Sequence, residues 1–87
     1  MKISLSALQK ASSEFKASSL ETEMMMDRLQ KVIKELESSW EDAGQQAFFQ
    51  HFQEWHTHIS GISHLLDMTA NELDGIVARY IKADGDQ

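Results

Sequence analysis

The chain has 87 residues, with no cysteine, no proline and a charged fraction of 25%. This length forms one domain at most, and such a small domain often needs disulfides, metal or a second copy to complete its core; disulfides are excluded here. The formal net charge is -6 and arises from residues 41–87, and because an acidic surface repels phosphates, the composition argues against nucleic acid and anionic membranes as partners.

The first predicted element is a helix from about Leu5 to Ser39. Ser4 and Ser6 are candidate caps, and Ser6 and Gln9 have the spacing of a capping box. Apolar and small residues then recur in steps of three and four, which is the heptad spacing of a helix that packs against another. These positions are Leu8, Ala11, Phe15, Ser18, Thr22, Met25, Leu29, Val32, Leu36 and Ser39, with Met26, Ile33 and Trp40 widening the stripe.

A short connection over residues 40–44 follows, and then a second helix from about Gln45 to Lys82. Its heptad stripe is richer in large apolar residues, and the residues after it, 83–87, are predicted to form a flexible tail. The stripe consists of Phe48, Phe52, Trp55, Ile59, Ile62, Leu66, Thr69, Leu73, Ile76 and Tyr80, with Phe49 and Val77 beside it.

The short connection makes the two helices neighbours in an antiparallel hairpin. Two helices alone cannot enclose stripes this broad, so the hairpin should pair with another hairpin. The predicted fold is therefore all-α, a helix-turn-helix hairpin that dimerises into a four-helix bundle. The seam of the core and dimer is expected to include Phe48, Phe52, Trp55, Ile59, Ile62, Leu66, Leu73 and Ile76.

The connection itself carries a motif. Trp40 is followed by Glu41 and Asp42, and Ala47 and Phe48 lie near the start of the second helix. This corner resembles the WXG family of small helical hairpins, which are substrates of type VII secretion in Gram-positive bacteria and mycobacteria. Asp42 stands where the family has glycine. Aspartate is among the few residues that tolerate a positive φ, and Gly44 is a second residue suited to the bend.

A second motif lies near the C-terminus, where Tyr80 and Asp84 form the pattern Y-x-x-x-D. It resembles the C-terminal export signal of type VII substrates and falls just past the heptad stripe, where that signal belongs. The resemblance implies a protein secreted without a cleaved signal peptide, exported folded as a dimer and recognised by the membrane-bound ATPase of the secretion system. Its partner would be a second copy or a related hairpin.

Three alternatives stay open, and the weakest of them is a histidine-based metal-binding bundle. The chain could be a helper that pairs with a larger type VII effector toxin and supplies the export signal. From another class, it could be an intracellular helical-bundle adaptor in which Trp40 only closes the end of the hairpin.

Catalytic and cofactor motifs are missing from the sequence. It contains no cysteine nucleophile, no glycine-rich phosphate loop and no glycine-flanked serine elbow, so neither an enzyme nor a cofactor or small-molecule substrate is predicted. Four histidines raise the question of a metal site, but none is spaced three or four residues from another, which disfavours a shared ligand face on a helix. They are His51, His56, His58 and His64.

Overall fold

The computed structural model describes residues 3–40 and 45–85, with side chains through residue 83. It contains helix α1, Leu5–Ser39, and helix α2, Gln45–Gly85. Ser12 forms a hydrogen bond with Asp74, and Ser19 forms one with Ser63. Residue numbers therefore rise along one helix as they fall along the other, so the two helices are antiparallel. The molecule is an elongated antiparallel hairpin of 69 × 19 × 16 Å, which confirms the predicted two-helix fold.

The helix ends have local causes. The Ser4 hydroxyl accepts a hydrogen bond from the Ala7 amide at 3.1 Å and caps α1, whereas Ser6 lies inside the helix. Trp40 is extended, with φ -95° and ψ 116°, and ends α1. Helix α2 continues through Gly85, three residues beyond the predicted end at Lys82. Residues 83 and 84 are neither proline nor glycine, so the helix can continue beyond Tyr80, the last residue of its apolar stripe.

The two helices meet along a line of small residues that we call the polar seam: Ser12 and Ser19 of α1, with Ser63 and Ala70 of α2. These residues are between 0% and 6% exposed. They are spaced by seven within each helix, so they face the neighbouring helix at successive double turns. Small side chains at these positions allow the two backbones to approach closely.

Large apolar residues continue the contact beyond the polar seam. Leu8, Met26 and Phe52 are buried. Of the predicted stripe of α2, Phe48, Ile59, Leu66, Leu73 and Ile76 are half-buried, but Trp55 and Ile62 are exposed. The contact line in the hairpin shares Phe52 with the predicted stripe, but it runs through Ser63 and Ala70 in place of Ile62 and Thr69.

We expect Ala70→Leu to destabilise the hairpin by about 1–3 kcal/mol, because a leucine at this fully buried position would push the two helices apart. Chemical denaturation followed by circular dichroism measures the change. Ala78→Leu is the matched control on the exposed side of α2, and it should alter the stability by less than about 0.5 kcal/mol. Equal stability of the two variants would show that the helices do not approach closely at Ala70.

Candidate functional site

The corner of the hairpin is built from aromatic rings. Trp40 is half-buried, and its ring centroid lies 5.3 Å from that of Phe48 and 5.7 Å from that of Phe49. Phe48 and Phe49 are themselves edge-on at 5.4 Å. Edge-on and tilted pairs at such separations are favourable, so the three rings join the end of α1 to the start of α2. Asp42 and Gly44, the other predicted turn residues, lie outside the described residues.

One side of the hairpin carries an apolar face. A shallow groove places Phe15 and Ser18 of α1 beside Leu66 of α2, and the heptad repeat carries this face along both helices. Many of its side chains are at least a third exposed in the single chain. The apolar face comprises Phe15, Met25, Leu29, Val32 and Leu36 of α1, and Trp55, Ile59, Ile62, Leu66, Leu73 and Ile76 of α2.

The other side of the contact line is polar. The Lys16 ammonium lies 2.7 Å from the Asp74 carboxylate, and the Ser12 hydroxyl donates a hydrogen bond to that carboxylate. The ion pair with Lys16, and then the Ser12 bond, hold the pKa of Asp74 below its usual range. Glu23 lies on the same side, with a carboxylate oxygen 3.3 Å from the Ser63 hydroxyl oxygen. The two sides of the hairpin therefore differ in chemistry.

The predicted export signal lies at the end far from the corner. Tyr80 is 42% exposed, and Asp84 follows it by four residues within α2. Four residues correspond to about one helical turn, which places the two positions on one side of the helix. The helical backbone therefore continues through both residues of the motif.

A shallow groove lies between the two helices near their midpoint. It has a volume of about 170 Å³ and is lined by Thr22, Glu23, Met26, Asp27, His56, Ile59, Ser60 and Ser63. No three histidine or acidic residues cluster closely enough to hold a metal ion within residues 3–40 and 45–85. The groove thus offers acidic groups and hydroxyls but no ligand set for a metal.

His56 and the Ser63 contact are features that the stripe analysis missed. His56 lies half-buried on the contact line, with its ring centroid 6.4 Å from that of Phe52, while His51, His58 and His64 are exposed. The sequence does indicate this contact line, since His56, Ser63 and Ala70 are spaced by seven residues. The line is, however, less apolar than the stripe beside it.

Across the described helices, none is long and apolar enough to cross a membrane.

Comparison with known proteins supports the resemblance to the family. The family model WXG100, described as proteins of 100 residues with WXG, matches residues 1–85. The match spans both helices, the corner and the Y-x-x-x-D motif. No curated protein and no solved structure gives a significant match.

We expect Asp74→Asn to lower the urea midpoint at pH 7, because the amide loses the charge that pairs with Lys16. A lowered pKa in the folded state stabilises the protein above the ordinary aspartate value of about 3.9, and this stabilisation is lost as the pH falls through the lowered value. The difference between the two proteins should therefore shrink below about pH 4 and then vanish.

The control for this measurement is Asp67→Asn, an exposed aspartate of the same helix outside the contacts that join Ser12, Lys16 and Asp74. Added salt should also reduce the effect of Asp74→Asn, because the ion pair is partly exposed. A midpoint difference that stays constant from pH 7 down to pH 2 would contradict the proposed role of the charge.

Proposed function

The chain belongs to the WXG100 family, the small helical proteins that type VII systems secrete without a signal peptide, and we propose that it is exported as a folded dimer. It acts by binding, either as a carrier or as an effector. The observation that carries the dimer is the apolar face, which the hairpin itself leaves largely uncovered. The partner is a second copy or a related hairpin.

The composition of the two surfaces supports this pairing. The hairpin closes through serine and alanine, and many of its large apolar side chains are left exposed in the apolar face, while Leu20, Met24, Leu65 and Met68 are exposed outside it. Leu29, Val32, Trp55 and Ile62 are each between 41% and 56% exposed. A contiguous apolar surface of this kind on a small protein usually marks an interaction site. Stacking two such faces would complete a four-helix bundle with a continuous core.

A binding role is favoured over catalysis by the chemistry of the surface. Members of the family are not known as enzymes. The groove at the midpoint holds Glu23, Asp27 and His56, but neither the groove nor the sequence contains a cysteine nucleophile. The apolar face, in contrast, has exposed aromatic and aliphatic side chains such as Trp55 and Ile62, which suit contact with another protein.

The surface that is recognised for export would then be built from two chains. Trp40 and Tyr80 lie at opposite ends of the hairpin, about 50 Å apart along a helix at 1.5 Å per residue. Tyr80 of one chain therefore cannot reach its own corner. In an antiparallel pair of hairpins, the partner's tail would lie beside Trp40, and the membrane-bound ATPase would recognise this composite surface.

The helper role is the same proposal with a different partner, a larger effector toxin whose helical hairpin covers the apolar face. One observation favours the adaptor alternative. Packing against Phe48 and Phe49 accounts for Trp40 without any export role. Detection of the intact chain in the culture medium of its native host separates both secretion roles from the adaptor.

We expect Ile62→Asp to abolish dimer formation, because a charge in the apolar face would be buried without a partner. Met68→Asp is the matched control. In the single chain Met68 is 50% exposed and Ile62 is 52% exposed, but Met68 lies outside the apolar face. Light scattering after size-exclusion chromatography at low micromolar concentration should show a dimer for the control and a monomer for Ile62→Asp. Dimers of both variants would place the interface elsewhere.

We expect Asp84→Ala to keep the dimer and its melting temperature, or to raise the temperature slightly, yet sharply to reduce secretion by the native host. A negative charge near a helix C-terminus is disfavoured by up to ~1 kcal/mol, so stability gives no reason for aspartate in the last turn of α2. Tyr80→Ala should also block export, with some loss of stability. Comparing culture medium with cell extract by immunoblotting measures the effect, and normal secretion of Asp84→Ala would favour the adaptor.

A further inference from the structure

Three methionines follow one another near the middle of α1. Consecutive residues of an α-helix point about 100° apart, so Met24, Met25 and Met26 face three different surroundings. Met24 is 51% exposed outside the apolar face, and Met25 is 37% exposed within that face. Met26 is 5% exposed and lines the groove between the helices. The same chemical group is therefore present in solvent, at the proposed interface and in the core of the hairpin.

The group that these residues share is a thioether, which peroxides oxidise. The sulfur attacks one oxygen of hydrogen peroxide, so that the S–O bond forms as the O–O bond breaks. The sulfur gives up two electrons, and the second oxygen takes up the proton of the first and leaves as water. The product is a sulfoxide, which replaces a flexible apolar side chain by a polar one. Because the chain has no cysteine, no thiol competes for the oxidant.

A sulfoxide has a different consequence at each of the three positions. At Met24 its oxygen would stay in water, whereas Met26 is shielded from the oxidant in the single chain. At Met25 the oxidant can reach the sulfur, but a partner hairpin would then have to cover a polar oxygen. The side chains of the apolar face include one hydrogen-bond donor, the indole N–H of Trp55. Burying the oxygen without a partner is costly.

We propose that Met25 is an oxidation site that controls the pairing of the apolar face. A peroxide converts its thioether to the sulfoxide in the single chain, and the sulfoxide keeps a second hairpin from covering the face. Pairing removes Met25 from solvent, so a chain that has already paired is protected. These two effects rest on the dimer proposed above, whereas the accessibility of Met25 relative to Met26 is a property of the single chain.

The modification is reversible. A methionine sulfoxide reductase removes the oxygen as water while two thiols of a dithiol become a disulfide, and this restores the thioether. The apolar face is then able to pair again.

The first measurement follows oxidation of the full chain by hydrogen peroxide at several protein concentrations, with light scattering to count the chains. Trypsin releases residues 17–28, which contain all three methionines, and tandem mass spectrometry assigns each added oxygen to one of them. We expect Met25 to react about tenfold more slowly where roughly nine in ten chains are paired, because only single chains react. The rate at Met24 should not change with concentration, and Met26 should be the slowest of the three in the single chain.

The second measurement compares the dimers of three proteins after a short peroxide treatment: the parent, Met25→Leu and the matched control Met24→Leu. Leucine is apolar and of similar volume, but it has no sulfur to oxidise. We expect peroxide to raise the dissociation constant by about tenfold or more in the parent and in Met24→Leu. Met25→Leu should stay dimeric. Circular dichroism should show unchanged helical content in all three, and treating the oxidised parent with the reductase should restore its dimer.

Four results would overturn the proposal. Met25 could react no faster than Met26 in the single chain, or equally fast in single and paired chains. The oxidised parent could keep its dimer although Met25 carries the oxygen. Met25→Leu could lose its dimer under peroxide as the parent does, which would assign the effect to another residue. A parent that stays monomeric at every concentration contradicts the proposed dimer instead, and the rates of Met25 and Met26 then still decide whether the oxidation site is accessible.

Discussion

The exchange of hydrogen bonds between Ser19 and Ser63 is the contact on which the rest of the hairpin depends. Each hydroxyl reaches the main-chain carbonyl of the opposite helix, and this requires the two backbones to lie close together. Close approach is possible only where side chains are small, as at Ala70. The central contact of the molecule is therefore polar and narrow, although the chain is rich in large apolar residues.

That narrow contact determines on which side of the hairpin the neighbouring residues lie. In a helix, positions three or four apart share a face, so the residues next to the polar seam fall on its two sides. On one side lie Lys16 and Asp74, which form an ion pair. On the other side lie side chains such as Val32 and Ile62, which stay exposed. The two sides of the hairpin are consequently suited to different surroundings, one to water and one to a partner.

The two ends of the hairpin are also held differently. At the corner, Trp40 packs against the rings of Phe48 and Phe49, which is an apolar contact between residues close in sequence. At the open end, a hydrogen bond joins Ser12 to Asp74, which are more than sixty residues apart in the sequence. The Y-x-x-x-D motif follows this polar end. The candidate recognition elements of the family thus occupy opposite ends of a rod, and a pair of antiparallel rods would bring them together.

The heptad spacing determined most of the fold, because a repeat of three and four residues is satisfied only by a helix packed on another helix. It predicted α1, the hairpin and all of α2 except its last three residues. The motif at Trp40 indicated the family, which the match over residues 1–85 then confirmed. The heptad spacing and the motif at Trp40 both involve residues that are close together in the chain, so the sequence alone reveals them.

The sequence did not determine which line of residues faces the neighbouring helix. Apolar content pointed to the stripe through Trp55 and Ile62, but the helices meet through Ser19 and Ser63 instead. The reason is physical: a large residue gains by burial wherever it is covered, whereas a buried hydroxyl requires a partner at hydrogen-bond distance. That partner lies 44 residues away, and only the tertiary structure brings it into place.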